Sequence, residues 1–401
     1  MTEKGIYLDN NATTRVDPDV LAEMLPLFTE QFGNPSSMHG FGATVGGKIE
    51  WARKQVQALL GAAHDSEIVF TSGGTESDNT AILSALEAYP KKRSIVTSVV
   101  EHPAVLALCD YLEKKRGYTV HRIPVDGRGN LDMDAYRAAL GPDVAIVSIM
   151  WANNETGTIF PIEELATLAK AAGAVFHTDA VQAVGKIPMT LANSAVDMLS
   201  LSGHKLHAPK GIGALYVKRG LRFRPMLRGG HQERSRRAGT ENAPGIVGLG
   251  AAAQLALLHM TDENTRVKAL RDKLETAILA AVPNCFVTGN PANRLPNTCN
   301  VAFEYIEGEA ILLLLNEAGI AASSGSACTS GSLEPSHVMR AMGVPYTAAH
   351  GATRFSLSRE TTEEEIERVI EVVPGIIAKL RALSPYWSQT GAPKAFEPVY
   401  S

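Results

Sequence analysis

The sequence has few cysteines, no long apolar run and no excess charge of one sign. Only 4 of the 401 residues are cysteines, and no two of them form a C-x-x-C pair. This scarcity argues against a disulfide framework and against a zinc cluster, so we expect no metal site. A reducing cytoplasmic setting fits best, and any active thiol must then work as a single cysteine. The cysteines are Cys109, Cys285, Cys299 and Cys328.

Long apolar segments are equally scarce. The longest aliphatic run, 311–315, is far shorter than the ~20 apolar residues of a membrane-spanning helix. The opening residues MTEKGIYLDN contain no apolar segment typical of a secretory signal. The sequence therefore predicts neither a signal peptide nor a membrane partner.

Acidic and basic residues nearly balance, with 38 Lys and Arg against 42 Asp and Glu and a net charge of −4. This balance gives no global reason to expect nucleic acid or an anionic membrane as a partner. Hydrophobic residues make up 45% and charged residues 20%, close to the average of soluble globular proteins. At ~100–200 residues per domain, the length allows two or three domains.

Short β-branched runs alternate with amphipathic stretches up to about residue 255. Near-continuous apolar strands separated by helices predict a parallel or mixed sheet covered by helices on both faces. In such α/β folds, ligands bind at the carboxyl ends of the strands. The predicted strands are 66–71, 94–99, 144–149, 174–177, 198–202 and 213–217, and the helices are 76–88, 103–115 and 161–172.

The pattern changes after residue 255 to that of a smaller α+β domain. We predict a large domain at 15–255, a small domain formed by 1–14 and 256–385, and a flexible tail at 386–401, whose sequence has no periodicity. The elements predicted in the small domain are helices at 261–281, 309–318 and from 361, and strands at 300–304 and 353–358.

A glycine pair, Gly73-Gly74, joins the first predicted strand to its helix. Glycines permit a tight turn, and the free N–H groups of the helix start can bind an anion, with the hydroxyl of Thr75 adding a donor. A capping box with Thr75 at the cap and Asp78 three residues later is the alternative. The motif alone leaves both interpretations open.

Two charged residues follow predicted strands. Asp179 could cap a helix or could hold a positive charge such as a protonated heterocyclic nitrogen. Lys205 follows Ser202-Gly-His204, and a desolvated lysine among other cations has a lowered pKa and can form a Schiff base. Ser202 and His204 could bind a phosphate beside it. A lysine that reaches from the strand end to solvent is the alternative.

Cys328 lies in a run of small residues at 323–332. Such a run has few side chains able to anchor it, so we expect a mobile loop. A buried structural cysteine normally lies in an apolar element, as Cys109 does. Cys328 has no such setting, which favours a nucleophile.

Taken together, the motifs make the chain resemble the cysteine desulfurases, enzymes of the class-V aminotransferase family that use pyridoxal 5′-phosphate (PLP). The resemblance implies an α/β fold of PLP fold type I, with a mixed seven-stranded sheet in the large domain and a smaller α+β domain. Two further segments, 150–155 (MWANNE) and 228–234 (RGGHQER), resemble those of the NifS-type group, which serves nitrogenase cluster assembly. The shared motifs are 7–14 (YLDNNATT), 32–37 (FGNPSS), 100–104 (VEHPA), 153–157 (NNETG), 237–242 (RAGTEN) and 323–336 (SSGSACTSGSLEPS).

The resemblance also implies a role for each matching residue. Lys205 resembles the Schiff-base lysine, Asp179 the partner of the pyridine nitrogen and Gln182 the partner of the ring hydroxyl. The implied phosphate ligands are Gly74, Thr75, Ser202, His204 and, from the other subunit of a homodimer, Thr240. The other implied site residues are Asn154 at the cofactor, His102 stacked on its ring and handling protons, Asn34 and Arg354 at the substrate carboxylate, and Cys328 as the persulfide carrier.

Three of these residues have ordinary structural alternatives. His102 could end a strand, Asn34 could belong to a turn, and Arg354 could pair with one of the many nearby glutamates.

The implied function is an L-cysteine desulfurase that yields L-alanine and a persulfide on Cys328. The sulfur would pass to an iron-sulfur scaffold protein, for nitrogenase by the closest resemblance. Another PLP enzyme of the same fold, an aminotransferase or a selenocysteine lyase, is the alternative. An ATPase is disfavoured, because the Walker-like segment 42–48 lies in a helical pattern and Ile49 replaces its Ser or Thr. The basic loop 228–237 favours an anion or subunit contact over nucleic acid.

Overall fold

The structure, a computed structural model, describes residues 5–324, 335–385 and 387. Its main feature is a seven-stranded sheet, and the remaining strands form a two-stranded and a three-stranded sheet. In chain order the strands are β1 (Ile6–Tyr7), β2 (Ile68–Thr71), β3 (Ser94–Ser98), β4 (Thr119–Ile123), β5 (Val144–Ser148), β6 (Val175–Asp179), β7 (Met198–Ser202), β8 (Gly213–Val217), β9 (Cys285–Val287), β10 (Thr298–Phe303), β11 (Ile320–Ala321) and β12 (Ala352–Ser356).

Helices pack on this framework. In chain order they are α1 (Pro18–Met24), α2 (Pro26–Thr29), α3 (Gly40–Leu60), α4 (Gly74–Ala88), α5 (Pro103–Arg116), α6 (Met133–Ala139), α7 (Ile162–Ala171), α8 (Gln232–Ser235), α9 (Ala243–Leu258), α10 (Met260–Asp262), α11 (Lys268–Ala281), α12 (Gly308–Glu317), α13 (His337–Ala341), α14 (Tyr346–Ala349) and α15 (Glu363–Leu383).

The large sheet has the order β2-β8-β7-β6-β5-β3-β4. Its strands run parallel except β8, which is antiparallel to both of its neighbours. Ile68 and Phe70 of β2 pack into one apolar cluster, whereas Val69 between them packs into another. Both faces of the sheet are therefore covered, which confirms the predicted mixed sheet between helices.

The beginning of the chain pairs with its last third. Strand β1 runs parallel to β11, and Leu8 belongs to a core that also contains Val301 of β10 and Val373 of α15. Val338 and Met339 of α13, by contrast, pack into the core of the large sheet. The domain boundaries at 14/15 and 255/256 stay a prediction.

Several predicted elements differ from the observed ones at their ends. Helix α4 begins at Gly74 with Gly73 as its cap, so the capping box at Thr75 was wrong. Strand β6 extends two residues beyond its predicted end, to Asp179. The predicted helix 261–281 is observed as a continuous helical segment with one irregularity, a π-helical turn at Glu263–Val267 between α10 and α11.

Within the described ranges, no single helix is long and apolar enough to cross a membrane. One pair, Ala243–Leu258 and Met260–Ala281, meets the length and composition criteria only when both helices, bent by 54° at their junction, are counted together.

Candidate active site

The carboxyl ends of β2, β6 and β7 lie on the same side of the large sheet, which we call its carboxyl edge. Strand β8 starts at Gly213, which pairs with Thr71 at the end of β2 on one side and with Ser202 at the end of β7 on the other. Strand β6 runs parallel beside β7 and ends at Asp179. The topology therefore brings the predicted glycine, aspartate and lysine motifs to the same edge.

The glycine pair lets the start of α4 approach Ser202. Gly73 has φ 153° and ψ −175°, a conformation that is essentially restricted to glycine. A Cβ on Gly74 would lie 2.9 Å from Cγ2 of Val181, and a Cβ on Gly73 would lie 3.8 Å from Oγ of Ser202. The N-terminus of a 15-residue helix thus faces a serine hydroxyl, which is an arrangement suited to a phosphate. Thr75 is exposed beside it.

Lys205 ends a short 3₁₀ turn that directly follows β7. Its Nζ donates hydrogen bonds to the main-chain oxygens of Asn11, at 2.5 Å, and Ala12, at 2.7 Å. Burial, with added repulsion from Arg354 and Lys186, lowers the pKa of Lys205 to about 7. A substantial fraction of this lysine is therefore an uncharged, nucleophilic amine near neutral pH.

Asp179 and His102 lie within electrostatic reach of Lys205. Burial raises the pKa of Asp179, and both His102 and Lys205 oppose that rise. Burial lowers the pKa of His102, and Asp179 opposes that fall. His102 caps α5, where its Nδ1 accepts from the N–H of Ala104 at 3.1 Å. The Oδ1 of Asp179 accepts from the N–H of Val181 at 2.9 Å in a turn, so it caps no helix.

Gln182 and His204 both contact the segment that follows β1. The Nε2 of Gln182 donates to the main-chain oxygen of Asn11 at 3.0 Å. The Nδ1 of His204 is 3.2 Å from Oγ1 of Thr13. Burial lowers the pKa of His204 to about 4, so its ring is neutral at neutral pH and can donate one hydrogen bond.

Asn11 is a site residue to which the sequence analysis assigned no role. It is 1% exposed. Its Nδ2 donates to Oγ1 of Thr298 at 2.9 Å, and its Oδ1 accepts from Nδ2 of Asn297 at 3.0 Å. These bonds fix the position of Asn11, whose main-chain oxygen accepts from both Lys205 and Gln182. The sequence signal that could have indicated its role is the pair of asparagines, Asn10 and Asn11, shortly after strand β1.

Arg354 lies in β12 and is 2% exposed. Its Nη2 donates to Oδ1 of Asp9 at 2.8 Å, and its Nη1 donates to the main-chain oxygen of Asn154 at 2.7 Å. Among the described residues, the carboxylate bound to Arg354 is that of Asp9, 345 residues away in the sequence, and a pairing with a nearby glutamate stays a prediction. Asn34 is exposed, and its Oδ1 accepts from the N–H of Ser36 at 2.9 Å, as in the alternative of an ordinary turn.

The basic loop before Thr240 is held by ion pairs within the chain. Glu233 is bound by both Nη atoms of the buried Arg53, at 2.9 and 2.6 Å. Arg237 binds Glu76 in the first turn of α4, with Nε 2.9 Å from Oε1. The loop is therefore firmly attached, and it carries Thr240 as an exposed residue.

Two buried acids beside Asp179 were also missed. Glu101 accepts from Oγ of Ser98 at 2.5 Å and from the N–H of Met150 at 3.0 Å. Burial, opposed by these bonds, raises the pKa of Glu101 to about 8. Burial also raises the pKa of Asp78, with repulsion from Asp179 as a further cause. Glu101 is therefore protonated at neutral pH. The sequence signal of both acids is weak, because a strand-end Glu and a helical Asp look like ordinary surface residues.

Cys328 lies outside the described residues. Burial raises the pKa of Cys109 to about 12 and also raises the pKa values of Cys285 and Cys299. Cys109 and Cys299 are buried, which confirms the structural reading of Cys109. The three described thiols are thus poorly ionised and unsuited to nucleophilic attack.

The residues at this edge fit PLP. A helix N-terminus and Ser202 suit its phosphate, Lys205 suits its aldehyde, and the buried Asp179 suits a protonated ring nitrogen. Gly74 leaves the space that a Cβ would fill. The role of each single residue stays a prediction.

Comparisons with known proteins identify the family to which the chain belongs. The family model "Aminotransferase class-V" matches residues 6–369. The chain is 81% identical over 402 residues to a cysteine desulfurase of Azospirillum brasilense, covering 100% of both chains. It is 70% identical over 399 residues to the cysteine desulfurase NifS of Azotobacter vinelandii, covering 98% of this chain and 99% of that one. A solved structure described as a NifS-like protein superposes with a TM-score of 0.87 at 39% identity, covering 94% of this chain and 100% of the other.

Proposed function

This chain belongs to the class-V aminotransferase family as a PLP-dependent cysteine desulfurase of the NifS type, and we propose that it converts L-cysteine to L-alanine and leaves the sulfur as a persulfide on Cys328. The observation that carries this proposal is Lys205. It is a half-buried lysine with its pKa lowered to about 7, and it interacts electrostatically with Asp179 and His102 at the carboxyl ends of the strands.

When bound, PLP supplies an aldehyde that reacts with amines and a ring that withdraws electrons from the substrate Cα. Lys205 would hold the cofactor at its aldehyde carbon, and its free Nζ would accept the Cα proton of the substrate. Asp179 would keep the ring nitrogen protonated, because a buried carboxylate raises the pKa of a neighbouring base. Gln182 would donate to the ring hydroxyl, and Gly74, Thr75, Ser202 and His204 would bind the phosphate.

Arg354 orients the substrate by its carboxylate, together with Asn34. In this structure the guanidinium binds Asp9 instead. A substrate carboxylate carries the same charge as Asp9, so binding would exchange one carboxylate for another and leave the buried charge of Arg354 paired. This exchange would select amino acids with a free α-carboxylate.

His102 completes the reaction as a proton carrier. Its ring is neutral at neutral pH, because burial lowers its pKa. A neutral ring can accept a proton from the thiol of the substrate and return it to the carbon that has lost its sulfur. Asn154, expected at the cofactor, accepts from Nη1 of Arg354 and from Nδ2 of Asn11 through its main-chain oxygen.

A homodimer would complete the phosphate site with Thr240 of the second subunit. The loop of Thr240 is firmly attached by Glu233 and Arg237, yet Thr240 itself is exposed. Large apolar side chains are also exposed near Asn34, a pattern typical of protein interfaces. They are Phe28 (58%), Phe32 (67%), Met38 (103%) and Phe41 (62%).

The persulfide would pass to an iron-sulfur scaffold protein, and the physiological pathway would be cluster assembly for nitrogenase. The support is the 70% identity to the NifS protein of Azotobacter vinelandii. We place this transfer in the cytoplasm, because Cys109, Cys285 and Cys299 are free thiols.

The test is an assay of purified, PLP-loaded protein with L-cysteine and a thiol reductant. We expect alanine and sulfide in equal amounts, and none with D-cysteine. A keto acid without sulfide would instead indicate an aminotransferase, and release of selenide from selenocysteine without sulfide from cysteine would indicate a selenocysteine lyase.

A further inference from the structure

A second lysine, Lys186, is buried and contacts Gln182. Lys186 is 7% exposed, and its Nζ donates to the main-chain oxygen of Gln182 at 3.1 Å and to its side-chain Oε1 at 3.3 Å. A lysine is rarely buried to this extent without a structural or functional reason. Neither the resemblance nor the mechanism above uses it.

The contact with Lys186 determines which way the Gln182 amide points. An ammonium group has only donors, so the atom of the amide that faces it must be the oxygen. The main-chain oxygen of Asn11 is only an acceptor, so the atom that faces it must be the NH2 group, as observed at 3.0 Å. Both neighbours therefore impose the same orientation.

The orientation matters because of what else Asn11 binds. Its carbonyl also accepts from Nζ of Lys205 at 2.5 Å. The NH2 group of Gln182 and the amine of Lys205 thus converge on one point. A flipped amide would present an oxygen there in place of a donor.

The π-helical turn Glu263–Val267, distant in the sequence, contacts Lys186. The π-helical turn Glu263–Val267 places Glu263 at 8% exposure, and burial raises its pKa to about 6, an effect that Lys186 opposes. Asn264 in the same turn donates from Nδ2 to the main-chain oxygen of Lys186 at 2.9 Å. Single π turns inside helices are frequent at functional sites.

Lys186, Lys205 and Glu263 also line one small cavity of about 20 Å³. A cavity of this size has room for a single water molecule. The second lysine is therefore a close neighbour of the first, in agreement with its lowering of the pKa of Lys205.

We propose that Lys186 is a positioning residue that fixes the side-chain amide of Gln182 with its NH2 group toward the cofactor pocket. Glu263 supplies the neighbouring negative charge, and Asn264 holds the main chain of Lys186 in place. The proposal rests on the proposed function, because it takes the role of Gln182 as donor to PLP from that function.

The test is a double-mutant cycle on cofactor affinity, with PLP added to cofactor-free protein and binding followed by absorbance. Lys186→Met keeps an unbranched side chain that is one atom shorter but removes its donors, and we expect it to raise Kd about tenfold, as for the loss of one charge-assisted hydrogen bond. Gln182→Ala should raise Kd by a similar factor. If Lys186 acts through Gln182, the double variant should bind no more weakly than Gln182→Ala alone.

The matched control is Lys92→Met. Lys92 also donates to two carbonyls, those of Val144 and Gly173, but at the opposite edge of the sheet. The Kd of the Lys92→Met variant for PLP should equal that of the wild type. A double variant whose effect is the product of the two single effects would overturn the proposal, as would an unchanged Kd in Lys186→Met.

A second variant decides the question if Lys186→Met does not fold. Gln182→Glu keeps an oxygen for Lys186 but has no NH2 group, so we expect it to fold and to bind PLP as weakly as Gln182→Ala. Affinity equal to the wild type in Gln182→Glu would overturn the orientation. A wild-type protein that binds no PLP and makes no alanine would instead overturn the proposed function itself.

Discussion

At the scale of single residues, Lys205 is the group on which the chemistry depends. Lys205→Ala should abolish alanine formation, because no amine remains to anchor the cofactor and accept the Cα proton. Lys205→Arg should not restore it, since a guanidinium stays charged and cannot form the imine. Borohydride reduction followed by peptide mass spectrometry should show PLP on Lys205 in the wild type only. Near wild-type turnover in the Ala variant would show that Lys205 is misassigned.

Glu101 should make stability depend on pH. Burial raises its pKa in the folded protein from 4.5 to about 8, so folding keeps a proton that the unfolded chain releases. This contribution is fully present below pH 4.5 and declines as the pH rises to about 8, by at most about 1.4 kcal/mol per pH unit. Glu101→Gln mimics the protonated acid and should remove that decline.

The measurement is urea unfolding of cofactor-free protein from about pH 5 to about pH 8. The free energy of unfolding should fall less steeply with pH in Glu101→Gln than in the wild type. Glu317→Gln, at an exposed position, should follow the wild type. Parallel curves for wild type and Glu101→Gln would mean that Glu101 is ionised in the folded protein.

At the scale of elements, the start of α4 should tolerate no side chain at Gly74. A Cβ there would lie 2.9 Å from Cγ2 of Val181, so Gly74→Ala must displace either Val181 or the helix start, and with it the N–H groups beside Ser202. We expect PLP affinity to fall about tenfold, the loss of one or two charge-assisted hydrogen bonds to phosphate. Gly375→Ala in α15 is the matched control, because nothing lies within 4 Å of its Cβ.

The measurement is equilibrium titration of Gly74→Ala and Gly375→Ala with PLP, which compares their affinities for the cofactor. Gly375→Ala should keep wild-type affinity and gain about 0.5–1 kcal/mol of stability, as for Ala replacing Gly in a helix. Unchanged affinity in Gly74→Ala would show that the phosphate lies elsewhere.

Sequence patterns predicted the elements better than the contacts between them. Strands 198–202 and 213–217 were predicted at their observed bounds, because each is a buried apolar run followed by a turn. The cap of α4 was missed, since the unusual backbone of Gly73 leaves no side-chain signal. The π turn within helix 261–281 was missed, because it preserves the apolar periodicity on either side.

The order of motifs predicted that Lys205, Asp179 and His102 lie together, but not how they are held. Lys205, Asp179 and His102 do come together, as the carboxyl edge of the sheet required. The pairing of Arg354 with Asp9 and the shared carbonyl of Asn11 join distant parts of the chain. Such contacts depend on tertiary packing, which no local pattern records.

At the scale of the whole molecule, the active form should be a homodimer. Phe32 is 67% exposed, and Phe32→Glu would place a charge in the proposed interface. We expect the variant to be monomeric by light scattering and to bind PLP more weakly, because Thr240 of the second subunit is lost. Leu313→Glu, with 66% exposure on α12, should remain dimeric and active. A fully active monomer would contradict the shared site.

The central claim is that sulfur leaves L-cysteine as a persulfide on Cys328. The most direct measurement is mass spectrometry of the PLP-loaded wild type after reaction with L-cysteine. We predict one added sulfur on the peptide that carries Cys328, and none there in Cys328→Ala, which should still bind PLP but transfer no sulfur. Cys285→Ala should behave as the wild type. The added sulfur on Cys109, Cys285 or Cys299, or full activity in Cys328→Ala, would contradict the account.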